Sequence, residues 1–194
     1  MRVLLIAGSV SPGSCTRAAV SAAATLLEDK GVETVVWDLG ERPLPFADPA
    51  YHHDPEDNPH PAVRELVEEA TEATSFVLAS PVYHNSYSGV LKNCLDHLAI
   101  PQFLYKPVGL ISHGAGLSAV QVCDHLRIVV RGLYGVALPR QLVTVKDDYD
   151  FDGEAAYLVG EAALERLEAL VNEMLMFGKV TEVGLNGYRR LVRA

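Results

Sequence analysis

The sequence has few cysteines, no long apolar run and a deficit of positive charge. Cys15, Cys94 and Cys123 are odd in number, lie far apart and show no CxxC or Cys/His metal-ligand spacing. This pattern argues against a disulfide framework and a zinc site, and it predicts free thiols in a reducing compartment. No stretch of about 18 apolar residues is free of charge, which argues against a transmembrane helix. The apolar run Val3 to Ala7 is too short for a signal peptide, so we expect a cytoplasmic protein.

The charge balance excludes some partners. The chain has 16 Lys and Arg against 25 Asp and Glu, a formal charge of −9. Nucleic acids and anionic membranes would be repelled at long range, so we expect neither as a partner. With 194 residues, 49% of them hydrophobic, the chain can bury one sizeable core. We predict a domain over residues 1–178 and a C-terminal tail over 179–194, which is either loose or docked on a partner subunit.

Short apolar runs alternate with longer segments of helical period. The predicted strands are Val3 to Ala7, Glu33 to Trp37, Ser75 to Ser80, Pro107 to Ile111 and Gln141 to Val145. The predicted helices are Thr16 to Lys30, Ala62 to Thr74, Ser88 to Leu98, Leu117 to Leu133 and Glu154 to Phe177. Between them, Asp38 to Pro61 is rich in proline and charge and is typical of a surface excursion.

This alternation predicts an α/β fold, a doubly wound sheet of five parallel strands with helices on both faces. Ligands of such sheets bind at the carboxyl ends of the strands, where the strand order reverses. In the order 2-1-3-4-5, the loops after the first, third and fourth strands are neighbours. These are also the three unusual loops of the sequence, so we expect the functional site there.

The first loop, Gly8 to Arg17, is rich in serine, proline and glycine and leads into a helix. Free backbone N–H groups, the helix dipole, the hydroxyl groups and Arg17 would together bind a phosphate. The loop matches neither GxGxxG nor GxxxxGK[ST]. The alternative is that Ser14 or Thr16 only caps the helix and Arg17 is solvated.

The second loop, Ser80 to Gly89, carries two tyrosines and several polar groups, which suit a flat heteroaromatic ring. A turn with both tyrosines packed on the sheet edge is the alternative. In the third loop, Ser112 to Gly116, two glycines would let backbone approach a ligand, and a tight turn is equally compatible. His113 either contacts the ligand or fills the loop.

Three other groups of residues are less informative. Histidines and acids between His52 and His60 follow no recognised metal spacing, so a solvated loop over the site is favoured. Cys94 is expected in the core rather than as a nucleophile. Lys92 and Asp96 are expected to form a helix-surface pair.

Taken together, the loops resemble the NADPH-dependent FMN reductase family, in particular the flavin reductase branch that supplies reduced FMN to monooxygenases. The resemblance covers Met1 to about Val145. Its specific part is Pro81-Val82-Tyr83 followed by Tyr87-Ser88-Gly89-Val90-Leu91-Lys92-Asn93 and Leu95-Asp96. Leu5-Ile6-Ala7-Gly8-Ser9 with Thr16-Arg17, and Ser112-His113-Gly114-Ala115-Gly116, support it.

The resemblance implies a flavodoxin-like fold and a set of FMN contacts. Ser9, Ser14, Thr16 and Arg17 would hold the phosphate, in a loop that also contains Ser11. The isoalloxazine would be bordered by Pro81, Val82, Tyr83, His84 and Asn85, with Ser86 in the same loop, and on its other side by Ser112, His113, Gly114 and Gly116. The chain departs from the family at Ser11, where many relatives have arginine, and at His84-Asn85, where they have Asn-Gly.

The implied activity is hydride transfer from NADPH or NADH to FMN. The reduced FMN then either passes the reducing equivalents to a second acceptor or is released to a flavin-dependent monooxygenase. The alternatives are a quinone, azo or nitro-compound reductase with tightly bound FMN, a flavodoxin-like electron carrier, and a regulatory protein with an empty site. The resemblance and the largely apolar stretch Ala99 to Tyr105 predict a homodimer or homotetramer.

Overall fold

The computed structural model describes the backbone of residues 1–116 and 118–192 and the side chains as far as residue 184. The strands are β1 (Arg2–Ala7), β2 (Glu33–Asp38), β3 (Ser75–Pro81), β4 (Pro107–His113), β5 (Val136–Thr144), β6 (Tyr149–Asp152) and β7 (Ala155–Leu158). The helices are α1 (Cys15–Asp29), α2 (Pro61–Glu72), α3 (Gly89–Asp96), α4 (Ile100–Phe103), α5 (Ala119–Gly132) and α6 (Glu161–Val192). Short 3₁₀ turns lie at Pro49–Tyr51, Pro55–Asp57 and Lys146–Asp148.

The first five strands form one sheet in the order β2-β1-β3-β4-β5, and every neighbouring pair is parallel. The predicted flavodoxin-like order is therefore confirmed. Strands β1 and β3 are almost wholly buried because helices cover both faces of the sheet.

Alternate residues of β1 supply the two faces of the sheet. Leu4 and Ile6 belong to the core beneath α2, α3 and α5, whereas Val3 and Leu5 belong to the core beneath α1 and α6. The first of these cores also contains a stacked aromatic pair, Phe76 and Phe103, with ring centroids 4.1 Å apart. The apolar runs in the sequence thus mark strands buried on both sides.

Strand β5 begins earlier than predicted, at Val136 instead of Gln141. Its pairing with β4 is irregular between Val108 and Leu110, where residues 138–140 bulge out of register. Pro139, which has no N–H to donate, fits this bulge in an edge strand. The Arg127 guanidinium on α5 donates to the carbonyls of Leu138 at 2.7 Å and Pro139 at 3.1 Å, so the bulge is held in place.

The predicted start of the last helix at Glu154 is wrong. Residues 149–158 form the antiparallel hairpin β6–β7, which turns at Gly153 with a φ of 60°. Helix α6 begins only after Gly160, where a Cβ would lie 2.8 Å from Asp148 Oδ1. Tyr149 is buried in the core beneath α1 and α6, and this burial fixes the start of the hairpin.

The C-terminal segment continues the last helix. The backbone of α6 stays helical through Gly178 to Val192, so it shows no break at the predicted boundary of domain and tail. The division at residue 178 stays a prediction. The side chains of Arg189, Arg190 and Arg193 lie outside the described residues, as does Leu117, where helix α5 was predicted to begin.

Candidate functional site

The loops after β1, β3 and β4 are joined to each other by hydrogen bonds. Gly8 N donates to Ala79 O at 2.8 Å, and Val82 N donates to His113 O at 2.9 Å. The Ser88 hydroxyl donates to Gly8 O at 2.6 Å. The structure therefore brings the three predicted loops to one edge of the sheet, at the carboxyl ends of their strands.

The first loop presents hydroxyl groups at the start of α1. Ser14 caps this helix, because its hydroxyl accepts from Arg17 N at 3.2 Å. Ser9, Ser14 and Thr16 are buried, whereas Ser11 is exposed. Thr16 Oγ1 has no hydrogen-bond partner among the described residues. A buried hydroxyl of this kind, beside first-turn N–H groups that have no intrahelical acceptor, fits an anionic ligand.

The Arg17 side chain is only partly exposed and is not free, because Asp38 at the end of β2 holds it. Arg17 Nη2 lies 3.2 Å from Asp38 Oδ1, and Arg17 Nε forms an ion pair with Asp38 Oδ2. Arg17 Nη1 donates to Pro12 O at 3.1 Å, and Gly40 N donates to Asp38 Oδ1 at 2.8 Å. This ion pair largely neutralises the positive charge of the loop. The sequence did not indicate that Asp38 would be its buried partner.

The second loop is a tight two-residue turn. Tyr83 and Ser86 exchange backbone hydrogen bonds of 2.9 and 3.0 Å, and between them His84 and Asn85 have φ angles of 49° and 63°. Positive φ at both central residues is the type I′ geometry, which Asn-Gly also favours. His84-Asn85 therefore forms a turn of the type that Asn-Gly at these two positions would also favour. Tyr83 is half exposed, so its ring is available to a ligand.

Two buried serines support this turn from below. Ser80 Oγ accepts from Ser88 N at 2.8 Å and donates to Pro81 O at 2.9 Å. Ser88 in turn caps α3 by accepting from Leu91 N at 3.2 Å. Above them, Ser86 Oγ lies 2.9 Å from His125 Nδ1 on α5. The turn is thus fixed to two helices.

The third loop places His113 beside two further residues that the sequence did not suggest. Its Nδ1 lies 3.2 Å from Thr144 Oγ1, and its ring meets the Tyr149 ring edge-on with centroids 5.2 Å apart. The Ser112 hydroxyl donates to Ala119 O at 2.7 Å, so it serves the loop itself. Burial lowers the pKa of His113, and the charge of Asp148 opposes this shift only in part. The imidazole is therefore neutral near pH 7.

The thiols of the chain are not set up for nucleophilic chemistry. Burial raises the pKa of Cys94, and it raises the pKa of Cys123 to about 11. The pKa of Cys15 is also raised by burial. Protonated, buried thiols are poor nucleophiles, and the prediction that Cys94 belongs to the core is confirmed.

The two glycines of the third loop are expected to respond differently to alanine. A Cβ at Gly114 would lie 2.8 Å from Val82 Cγ2 and 3.1 Å from Ala119 Cβ, whereas a Cβ at Gly116 would have no atom of the described residues within 4 Å. We expect Gly114→Ala to lower the free energy of unfolding by about 2 kcal/mol through overpacking, and Gly116→Ala to change it by less than ~0.5 kcal/mol. Urea denaturation of both variants measures this, and equal effects would contradict the loop packing.

Other predicted features lie outside these loops. Lys92 Nζ contacts both oxygens of Asp96 at 2.5 and 2.7 Å, which confirms the surface pair. Within the described residues, no group of three or more His, Cys, Asp or Glu side chains is arranged to hold a metal ion. The excursion from Asp38 to Pro61 is held against α3, where His97 Nε2 lies 2.9 Å from Pro45 O.

The stretch Ala99 to Tyr105 is less open than a docking surface requires. Gln102 and Phe103 are buried inside the subunit, while Ile100 and Tyr105 are partly exposed. The predicted homodimer or homotetramer stays a prediction.

No helix in the described part of the chain combines the length and apolarity needed to span a membrane.

Comparisons with known proteins agree with this architecture. A family model described as NADPH-dependent FMN reductase matches residues 1–150. The FMN-dependent NADPH-azoreductase of Staphylococcus saprophyticus is 36% identical over 180 residues, covering 92% of this chain and 96% of that relative. The FMN-dependent NADPH-azoreductase of Staphylococcus aureus is 33% identical over 178 residues, covering 91% and 95%.

Solved structures show the fold. FerB, a flavoenzyme NAD(P)H:(acceptor) oxidoreductase from Paracoccus denitrificans, matches with a TM-score of 0.74 at 18% identity, covering 93% of this chain and 98% of that one. A flavodoxin from the domain Archaea matches with a TM-score of 0.62 at 13% identity, covering 92% and 99%. Both are similar in the flavodoxin-like arrangement of strands and helices.

The chain therefore belongs to the NADPH-dependent FMN reductase family. It is an NAD(P)H-dependent flavin oxidoreductase with FMN as its cofactor. The first loop fits the phosphate of FMN, since the unpartnered Thr16 hydroxyl and the N-terminus of α1 supply donors. The half-exposed Tyr83 and the neutral His113 suit the ring system.

Proposed function

We propose that this chain holds FMN across the loops after β1, β3 and β4 and uses NADPH to reduce a second small aromatic acceptor, in particular an azo compound. The observation that carries the choice of acceptor is the similarity to two azoreductases along nearly the whole chain. When bound, FMN supplies the redox chemistry, accepting hydride from NADPH and passing the reducing equivalents on.

The proposed FMN contacts divide among the three loops. Ser9, Ser14, Thr16 and the N–H groups of α1 would bind the phosphate, with Arg17 as a charged partner that is shared with Asp38. Tyr83 and the fixed turn that follows it would border one side of the ring system. His113 and Gly114 would line the other side.

Hydride transfer to and from a flavin needs no acid–base dyad from the protein. His113 is the titratable side chain of the third loop, and burial keeps its imidazole neutral. The tasks of these residues are to position two flat rings and to exclude water from between them. The exposed aromatic side chain of Tyr83 would favour flat acceptors over aliphatic ones, because an aromatic face stacks on a flat ring.

The test is anaerobic turnover with NADPH and the azo dye methyl red, using protein loaded with FMN and then freed of unbound flavin. Cleavage of one azo bond takes four electrons, so two molecules of NADPH should be consumed for each dye molecule lost. We expect dye reduction at this ratio. No dye reduction, together with NADPH oxidation that saturates with added free FMN, would instead support release of reduced FMN to a monooxygenase. No NADPH oxidation under either condition would contradict the proposal.

A further inference from the structure

The hydroxyl of Thr144 lies at the centre of a small buried network. Thr144 is the last residue of β5 and pairs with His113 at the end of β4. Its side chain is fully buried and contacts three polar atoms. Thr144 Oγ1 lies 3.2 Å from Ser112 O, 2.9 Å from Tyr149 OH and 3.2 Å from His113 Nδ1. These distances are those of hydrogen bonds.

The number of protons in this network fixes the direction of each bond. A threonine hydroxyl has one proton to give and two lone pairs that accept. Ser112 O is a carbonyl and can only accept, so the Thr144 proton goes there and Tyr149 donates its own proton to Thr144 Oγ1. The remaining lone pair of Thr144 then requires a donor at His113 Nδ1. If the Thr144 proton went to Nδ1 instead, a lone pair of Thr144 Oγ1 would face a lone pair of Ser112 O across 3.2 Å.

The same network fixes the orientation of the imidazole. The edge-on contact with Tyr149, at an interplanar angle of 89°, holds the plane of the ring. Nδ1 is used by Thr144, and Nε2 has no partner among the described side chains and backbone groups. Within a neutral imidazole whose Nδ1 carries the proton, Nε2 is an acceptor.

We propose that Thr144 and Tyr149 are positioning residues that hold His113 as its Nδ1–H tautomer, so that Nε2 accepts a hydrogen bond from the ring N–H of bound FMN. This inference rests on the proposed function for its second half, the contact with FMN. Its first half, the tautomer, is a property of the chain alone.

The tautomer can be read directly from the ¹⁵N chemical shifts of the histidine rings. The spectrum would be recorded at pH 7.5 with and without FMN, and His113→Gln identifies the signals of His113. We expect the unaltered chain to show a protonated Nδ1. Thr144→Val keeps the shape of the side chain but removes the acceptor, so it should abolish this preference. Thr144→Ser keeps the hydroxyl and should restore it.

The same variants separate positioning from simple loss of structure. Thr144→Val is expected to weaken FMN binding about tenfold, and Thr144→Ser by no more than about threefold, since one hydrogen bond of ordinary strength is lost or kept. Thr144→Val leaves the buried Tyr149 hydroxyl without an acceptor. The double variant with Tyr149→Phe removes that hydroxyl as well, so it controls for the cost of the unpaired group. It should fold and show the same tenfold weakening.

The outcomes are distinct. A protonated Nε2 in the unaltered, FMN-free chain would overturn the assignment of the tautomer. A tautomer that changes in Thr144→Val with unchanged FMN affinity would overturn the Nε2 contact while leaving FMN binding and the proposed function intact. Failure of the unaltered chain to bind FMN would overturn the proposed function and the Nε2 contact together, and the FMN-free spectrum would still decide the tautomer.

Discussion

Replacing Gly8 with alanine is expected to lower the free energy of unfolding by about 3 kcal/mol and to weaken FMN binding at least tenfold, since overpacking at a rigid point shifts the backbone. A Cβ at this position would lie 2.7 Å from Ala79 O and 2.9 Å from Leu91 Cβ. Ala79 O belongs to the backbone of β3 and Leu91 Cβ is attached to the backbone of α3, so neither neighbour can move far. The backbone of Gly8 is also the point where the first and second loops are bonded together.

Gly89 offers a matched control for this change. It is the first residue of α3, a Cβ placed there would have no neighbour within 4 Å in the part of the chain that the structure describes, and its backbone is in the ordinary helical region. Gly89→Ala is therefore expected to leave stability within ~0.5 kcal/mol or to raise it slightly. Thermal or urea unfolding and titration with FMN would be run on both variants. Equal behaviour of the two would show that the loops tolerate a shift at Gly8.

The sheet could be predicted from the sequence because its strands carry strong local signals. Val3 to Ala7 and Phe76 to Ala79 are apolar without interruption, and only strands covered on both faces need that pattern. The hairpin after β5 could not be separated from helix by composition, since residues 154–159 include good helix formers. The signal that was overlooked is Gly153, because glycine at the first of two central residues is typical of a two-residue turn between strands, and here Gly153 and Glu154 lie between the paired residues Asp152 and Ala155.

The residues of the candidate site could be proposed from the sequence where they are contiguous, and they could not where they come from distant strands. Ser9 to Arg17 form one segment whose composition indicates an anion loop. Asp38 and Thr144 are single residues with no motif around them, and only strand pairing brings them to the site. The strand order offered a usable signal, because both residues end a strand that neighbours one of the predicted loops. Tyr149 lies beyond β5, and its burial depends on the hairpin that was missed.

The ion pair between Arg17 and Asp38 carries the second large expected effect, on stability. The side chain of Asp38 is only 8% exposed, and that of Arg17 is 28% exposed. Removing the arginine leaves a buried carboxylate with no cation beside it. We expect Arg17→Met to lower the free energy of unfolding by about 3 kcal/mol, at the low end for a broken buried pair because Arg17 is partly exposed to water.

The pair of Lys92 and Asp96 is the control for this experiment, since their side chains are 43% and 42% exposed. Lys92→Met should cost less than ~0.5 kcal/mol, as is usual for an exposed helical pair. Urea denaturation at pH 7 measures both variants. A cost for Arg17→Met no larger than that for Lys92→Met would mean that water solvates Asp38 well enough without its partner.

The same pair gives a prediction of opposite sign for FMN, because the phosphate and Asp38 compete for one guanidinium. Asp38→Asn keeps an oxygen that can accept from Gly40 N but removes the negative charge. We expect FMN to bind about tenfold more tightly to this variant, since a like charge near the phosphate is lost. Riboflavin, which lacks the phosphate, should bind as it does to the unaltered chain. Fluorescence titrations with both flavins measure the ratio directly. A tightening shared by both would place the effect at the ring, and weaker FMN binding would show that Asp38 serves mainly to orient Arg17 toward the phosphate.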